Sequence, residues 1–163
     1  MSFSDALIQC LDESEECRLL AYDDARPDHV LHSMSDVHGT LTIGWGHTGK
    51  DVYVGQTCTQ EQADAWRDAD LTLASRCVDA ALPGVSLTPG QRDAMIDFEY
   101  NTGKLAGSTI QKKILAGDLA GVASELYRVD PDGTEHGWIF AKGGVKMPGL
   151  ITRRKREIAL WNS

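Results

Sequence analysis

The chain has 163 residues, 42% of them hydrophobic and 25% charged, which is the balance of an ordinary globular protein able to bury a core. A formal net charge of -8 argues against general nucleic-acid binding, because phosphate contacts need clustered Lys and Arg. No apolar run approaches the roughly 20 residues of a membrane helix, and residues 1–12 lack the basic and apolar parts of an export signal.

The N-terminal part of the chain predicts one helix followed by a small antiparallel sheet. Apolar residues at helical spacing place the helix on about residues 4–14, so that Glu15 lies at or just past its end. Two short segments, Arg18–Tyr22 and Thr40–Trp45, have the composition of strands. The stretch between them, residues 23–39, carries a proline, three histidines and several turn formers, which is typical of a long exposed connection.

Beyond the second strand the pattern becomes helical. A capping box begins a long helix at Thr59 that runs to about Ala81, and a second capped helix follows Thr88 and ends near Gly103. Shorter helices are predicted over residues 109–116, 119–127 and 150–161. The predicted fold is α+β and mainly α, a single domain in three parts: a small N-terminal lobe with the sheet (1–58), a connecting helix (59–81) and a helical C-terminal lobe (82–163).

Basic residues are concentrated near the C-terminus. From Trp138 onward, Glu157 is the only acidic residue among six basic ones: Lys142, Lys146, Arg153, Arg154, Lys155 and Arg156. We expect a solvated face on the last helix. The alternative is that this basic end contacts an anionic polymer such as a cell wall.

Two carboxylates near the N-terminus are candidates for glycosidic cleavage. That reaction requires one carboxylic acid to protonate the leaving oxygen and a second group to direct water or stabilise the transition state. Glu15, at a helix end, and Asp24, just beyond a short strand, can face one cleft if the chain doubles back between them. Carboxylate abundance alone proves nothing here, since neighbouring residues are of the same types.

The context of Glu15 is more specific. Nine residues occur in a set order: Glu15, Arg18, Tyr22, Asp24, Thr42, Ile43, Gly44, Gly46 and His47. Two later segments are FEYNTG, starting at Phe98, and GGVKMPGLITRRKREIAL, starting at Gly143. Together these motifs resemble the phage-type lysozymes of glycoside hydrolase family 24, in the catalytic segment and in the helical lobe.

The resemblance implies a lysozyme-like fold and an endolysin that hydrolyses the β-1,4 bond between N-acetylmuramic acid and N-acetylglucosamine, without a cofactor or metal, and so lyses the host cell. It implies Glu15 as general acid, Asp24 as partner carboxylate and the Thr42 hydroxyl as the group that holds the attacking water, with inversion at the sugar. Tyr100 and Asn101 would contact a sugar ring. Ordinary helix packing and capping are the alternative for both, and Trp138 is expected to be buried and outside the site.

The spacing between Asp24 and Thr42 departs from the family. Seventeen residues separate them, where the family usually has five. Asp36 has the family's spacing to Thr42, and Gly39 lies three residues after it, which reproduces the family phrase Asp-x-x-Gly-x-x-Thr. Asp36 therefore competes for the role of partner carboxylate. We favour Asp24, because a short strand fixes its distance from Glu15.

Histidines and cysteines have structural interpretations. The resemblance implies a structural role for His47, and we expect it to pair with Asp70 on the long helix and to tie that helix to the sheet. Three histidines and two aspartates between the predicted strands could form a metal site: His29, His32 and His38 with Asp28 and Asp36. This interpretation is less favoured, because the spacing of these residues matches no established ligand pattern. The four cysteines, which show no CxxC pair, are expected to be reduced: Cys10, Cys17, Cys58 and Cys77.

Two other functions stay open. One is a peptidoglycan-binding module without turnover, and the other is a metal-dependent amidase acting on the same polymer. For the enzyme we expect a monomer that binds peptidoglycan and neither binds nucleic acid nor inserts stably into a membrane. We expect it to be made in the host cytoplasm and to reach the wall after a separate protein permeabilises the membrane.

Overall fold

Across residues 3–141 and 143–163, which a computed structural model describes, helices dominate and the strands are short. The helices are α1 (Asp5–Asp12), α2 (Gln60–Ala81), α3 (Pro89–Thr102), α4 (Thr109–Leu115), α5 (Ala120–Leu126) and α6 (Pro148–Trp161). The strands are β1 (Arg18–Asp23), β2 (Leu41–Gly44), β3 (His47–Thr48), β4 (Tyr127–Val129) and β5 (Glu135–Gly137), and a 3-10 turn covers Met34–Asp36. The predicted α+β, mainly α class is confirmed. None of the helices in these described ranges combines the length and apolar character needed to cross a membrane.

The elements fall into two compact units, and the boundary between them lies within α2. The sheet unit is Glu15–Leu71, and the helical unit comprises the residues up to Ser14 together with Thr72–Ser163. The first helix was predicted to lie in the lobe of the sheet. Instead α1 belongs to the helical unit, where it packs against α3 and α6 and buries its apolar face. That the whole chain acts as one domain stays a prediction.

The sheet unit is built on a three-stranded antiparallel sheet in the order β1-β2-β3. The Cα partners of β1 and β2 are Arg18 with Gly44, Tyr22 with Thr42, and Asp23 with Leu41, and an irregularity lies between the first two pairs. Alternate side chains of the strands point to one side and form a small core with a residue beyond β3: Ala21, Leu41, Ile43 and Val52. This register decides which polar side chains stand on the opposite side.

The helical unit has α3 at its centre, in contact with α1 and α6. Met95, Ile96 and Phe98 of α3 are buried. The predicted helix over residues 119–127 extends one residue beyond each end of α5. The chain turns at Tyr127 into a hairpin of β4 and β5 that was not predicted. The turn of this hairpin includes Gly133, whose positive φ of 84° suits glycine.

The prediction of a solvated basic face on the last helix is wrong for two arginines. Arg153 and Arg154 of α6 are buried. The Arg153 guanidinium donates two hydrogen bonds of 2.9 Å to the carboxylate of buried Asp97 on α3. Arg154 lies 2.8 Å from the carboxylate of Glu157, whose pKa is raised well above its ordinary value by burial. Both arginines are enclosed in the packing of α6 within the helical unit and are not available to a polymer.

Candidate active site

Glu15 lies three residues beyond the end of α1, at the bend that leads into β1. Its side chain is half-buried and lies against the turn between β2 and β3. A Cβ atom at Gly46 in that turn would lie 3.7 Å from Oε2 of Glu15, and the backbone there has a φ of +94°. Glycine at this position therefore serves both the turn geometry and the close approach of the Glu15 carboxylate.

Asp24 directly follows β1 and extends its pairing with the chain that leads into β2. Its backbone N–H donates to the Thr40 carbonyl at 3.0 Å, and its carboxylate accepts the Thr40 N–H at 2.6 Å. A Cβ atom at Gly39 would lie 2.0 Å from Oδ1 of Asp24, which is far too close. The absent side chain at Gly39 is what lets this exposed carboxylate hold its position.

Thr42 stands in β2 directly opposite Tyr22 of β1. Its side chain is buried, and its hydroxyl donates a hydrogen bond of 3.0 Å to the Thr40 carbonyl. Since a hydroxyl has one hydrogen to donate, the Thr42 oxygen is left as an acceptor toward any further partner.

Tyr22 connects these three predicted catalytic residues. Strand alternation puts it on the same side of β1 as Asp24, and Thr42 faces it across the strand pair. Burial is the main cause that raises the pKa of Tyr22, and the negative charges of Glu15 and Asp24 raise it further. Thr42 and Asp24 thus lie beside one half-buried tyrosine within the sheet unit, and the charge of Glu15 acts on the same side chain.

Asp36, the competitor of Asp24, is engaged inside its own loop. Oδ2 of Asp36 accepts the backbone N–H groups of His32 at 2.9 Å and Ser33 at 3.0 Å. These hydrogen bonds are the main reason why the pKa of Asp36 is lowered. The carboxylate of Asp36 caps the short 3-10 turn that ends at this residue, a structural use that accounts for it without a catalytic role.

Asp23 is a buried residue whose importance the sequence analysis missed. Its carboxylate accepts the backbone N–H groups of Ala25, His38 and Gly39, at 3.1, 3.0 and 2.8 Å. The hydrogen bond from His38 contributes most to lowering the pKa of Asp23 to about 2. Because these groups lie at both ends of the inserted segment, Asp23 holds the two ends together beside Asp24.

The predicted pairing of His47 with Asp70 is confirmed. Nδ1 of His47 lies 2.8 Å from Oδ2 of Asp70, Nε2 lies 3.2 Å from Oδ2 of Asp51, and the ring stacks on Trp66 with centroids 5.1 Å apart. Burial lowers the pKa of His47, but the hydrogen bonds to the two carboxylates outweigh burial, so the pKa is raised. His47 therefore links β3 to the first part of α2 inside the sheet unit.

The predicted sugar-contacting residues lie near the end of α3, in the helical unit. The amide oxygen of Asn101 accepts a hydrogen bond of 2.6 Å from Arg154, so this group takes part in packing against α6. The half-buried ring of Tyr100 has the Arg153 guanidinium 6.0 Å from its centroid. Trp138 makes an edge contact with Phe98. These contacts agree with the packing interpretation of Asn101, and sugar binding by Tyr100 and Asn101 stays a prediction.

Metal binding by the histidines of the inserted segment gains no support. Within residues 3–141 and 143–163, no group of three or more His, Cys, Asp or Glu side chains has an arrangement that could hold a metal ion. His32 instead contributes its backbone N–H to the cap at Asp36, and His38 contributes its own to Asp23.

Known proteins resemble this chain over most of its length. The phage lysozyme family model matches residues 13–157. A SAR-endolysin of Escherichia phage Mu is 38% identical over 129 residues, which cover 78% of this chain and 68% of that protein. An endolysin of Acyrthosiphon pisum secondary endosymbiont phage 1 is 35% identical over 130 residues, covering 77% and 82%.

Solved structures give the same picture. The crystal structure of a P22 lysozyme mutant superposes with a TM-score of 0.70 at 30% identity, and the match covers 100% of this chain and 99% of that one. The muramidase domain of SpmX from Asticaccaulis excentricus has a TM-score of 0.72 over 99% of this chain and 98% of that domain. At 23% identity, this second likeness concerns the fold alone.

Proposed function

The chain belongs to the phage lysozyme family and is a glycoside hydrolase that lyses peptidoglycan, and we propose that Glu15, Asp24 and Thr42 carry out the cleavage. The bond cleaved is the β-1,4 link between N-acetylmuramic acid and N-acetylglucosamine. Glu15 acts as general acid, Asp24 as partner carboxylate and the Thr42 hydroxyl as a water-positioning group.

Glu15 and Asp24 exchange protons with the substrate and with water in the proposed reaction, and these transfers balance. The Glu15 carboxyl gives its proton to the bridging oxygen as the bond from that oxygen to the anomeric carbon breaks. A water molecule bonds to the anomeric carbon from the opposite side and gives a proton to Asp24. Glu15 then recovers a proton from solvent, and Asp24 returns one.

The hydrogen bond of Thr42 to Thr40 gives this scheme its physical basis. Because the Thr42 hydrogen is committed to the Thr40 carbonyl, its oxygen can only accept from the attacking water. A water that donates one hydrogen to Thr42 and the other toward Asp24 has its lone pair directed away from both. That lone pair is the nucleophile, and the outcome at the sugar is inversion.

The single observation that supports the assignment most strongly is the register of β1 and β2. It pairs Tyr22 with Thr42 and brings Asp24 to Thr40, although the inserted segment intervenes in sequence. Asp24 thus stands next to the strand that carries Thr42, while the Asp36 carboxylate caps the 3-10 turn of its own loop. The register favours Asp24 over Asp36 as the partner carboxylate.

The remaining proposals concern the setting of the enzyme. We infer a monomer that takes peptidoglycan as substrate, does not bind nucleic acid and makes no stable membrane insertion. Synthesis takes place in the host cytoplasm, and access to the wall follows permeabilisation of the membrane. Analytical ultracentrifugation tests the monomer, and a dimer at micromolar concentration would contradict it.

Digestion of purified peptidoglycan tests the reaction. We expect fragments with new reducing ends at N-acetylmuramic acid, identified by mass spectrometry, at a rate that a strong chelator leaves unchanged. New amino termini together with sensitivity to the chelator would indicate an amidase. Sedimentation with the wall without any released fragment would indicate a module that binds without turnover.

A further inference from the structure

The inserted segment, residues 25–39, forms one wall of a groove beside β1. The groove has a volume of about 560 Å³, within the range of roughly 300 to 1,000 Å³ that is usual for ligand sites. Residues of β1 line one side of it and residues of the insertion line the other, among them Arg18, Leu20, Tyr22, Asp28, His29 and Val30. All of these residues lie within the sheet unit.

The insertion is held in place by several contacts. Asp23 binds backbone N–H groups at both of its ends, and the Arg18 guanidinium donates to the Pro27 carbonyl at 2.8 Å. Leu31 and Val37 of the insertion pack against the small core of the sheet unit. The wall of the groove is therefore an ordered part of the fold, which lowers the entropic cost of binding a ligand there.

The apolar part of the groove is aliphatic and exposed. The exposed fraction is 56% for Leu20 and 68% for Val30, although both have large hydrophobic side chains. A saccharide ring is usually received by flat aromatic faces, whereas small methyl groups fit between aliphatic side chains. The aromatic ring of Tyr22 has the Arg18 guanidinium over it, 5.2 Å from the ring centroid.

The polar part of the groove carries both signs of charge. Arg18 lies 2.9 Å from the Glu16 carboxylate and 3.3 Å from the Asp28 carboxylate, and both of these acids are exposed. His29 adds a ring that can donate a hydrogen bond. A ligand that itself carries carboxylates, an ammonium group and methyl groups would match this lining best.

We propose that this groove binds the peptide stem attached to the muramic acid residue next to the bond that is cleaved. The stem is a short peptide with alanine methyl groups, free carboxylates and, in many walls, the amino group of a diamino acid. Arg18 and His29 face its carboxylates, Glu16 and Asp28 its ammonium group, and Val30 its methyl groups. This inference rests on the proposed function, because it assigns the groove to the same substrate.

Tyr22 belongs to both the groove and the candidate active site. Its side chain lines the groove, and in the strand register it pairs with Thr42 and stands on the same side of β1 as Asp24. The charges of Glu15 and Asp24 also raise its pKa. A glycan positioned for attack near these carboxylates would therefore carry its stem past Tyr22 toward the insertion. The insertion then gives this enzyme a preference for walls whose stems remain attached.

The test compares two forms of one soluble glycan, with the stems attached and with the stems removed by an amidase. The variant combines His29→Ala and Val30→Ser, both on the exposed insertion. Met34→Ser is the matched control, because Met34 lies in the same insertion and is 63% exposed but does not line the groove. We expect kcat/KM of the double variant to fall roughly fivefold to tenfold on the stem-bearing glycan and less than about twofold on the bare glycan.

The control variant should match the parent protein on both substrates. Equal losses of the double variant on both glycans would assign the groove to the sugar chain, and no loss on either would remove it from substrate binding; each result overturns the proposal. Release of no reducing ends from either glycan by the parent would instead refute the proposed function. In that case titration with the free stem peptide still tests whether the groove binds the stem. NMR shifts should appear at residues 28–31, and their absence would contradict stem binding.

Discussion

Replacement of Asp24 by Asn separates the two candidate carboxylates with little structural disturbance. Asp24 is exposed, and its side chain accepts one hydrogen bond, from the Thr40 N–H, which the amide oxygen of Asn can also accept. We therefore expect a melting temperature within about 2 °C of the parent, since exposed substitutions of this kind are close to neutral. What is lost is the negative charge that accepts the proton of water and stabilises the oxocarbenium-like transition state.

The expected catalytic loss is large. Removal of one well-placed electrostatic or general-base group typically costs a factor of about 10² to 10³ in kcat. Asp36→Asn is the matched control, because its amide oxygen can still accept the N–H groups of His32 and Ser33. That variant should keep kcat within about threefold of the parent, while Asp36→Ala loses the cap and should melt about 2 to 4 °C lower.

Turnover of a soluble glycan, followed by reducing-end release, gives kcat for each variant, and circular dichroism gives the melting temperature. The two readouts distinguish loss of chemistry from loss of structure. An active Asp24→Asn enzyme together with a folded but inactive Asp36→Asn enzyme would refute the register argument and transfer the role to Asp36.

Three further predictions test the supports of the site. Gly39→Ala places a Cβ atom 2.0 Å from Oδ1 of Asp24, so the carboxylate must move; we expect kcat to fall at least about tenfold, and an unchanged kcat would contradict the assigned position. The raised pKa of His47 means that its ion pair with Asp70 stabilises the fold fully below about pH 6.5 and less as the pH rises through the folded-state pKa. Asp70→Asn should therefore lower the melting temperature more at pH 6 than at pH 9. An equal effect at both pH values would argue against a charged pair. Asp97→Asn removes the negative charge that the buried Arg153 guanidinium contacts at 2.9 Å and should reduce the free energy of unfolding by about 3 to 5 kcal/mol in urea titrations. A loss below about 1 kcal/mol would show that the pair is dispensable.

Local signals in the sequence predicted much of the fold. The box at Thr88 begins α3, where Thr88 and Gln91 cap each other, and Gly103 ends the helix with a positive φ. Such features depend on residues within one turn, so they can be interpreted without knowing the rest of the chain. The pairing of His47 with Asp70 was accessible for another reason, namely the family resemblance.

Features that depend on distant partners were missed. Arg153 resembles any surface arginine in sequence, and its contact with Asp97, 56 residues earlier, offsets the cost of its burial. Similarly, Asp23 differs from Asp24 only in which side of β1 it occupies, and the return of the chain at His38 and Gly39 decides that it is buried. Helical periodicity and composition carry no information about such pairings.

The most direct test of the central claim is the rate at which Glu15→Gln releases reducing ends from purified peptidoglycan, measured beside the parent protein. The amide keeps the size and polarity of the side chain against Gly46 but cannot protonate the leaving oxygen. We expect an unchanged melting temperature and a rate at least about 10³-fold below that of the parent. A folded Glu15→Gln protein that cleaves the wall at the parental rate would contradict the assignment of Glu15 as the proton donor.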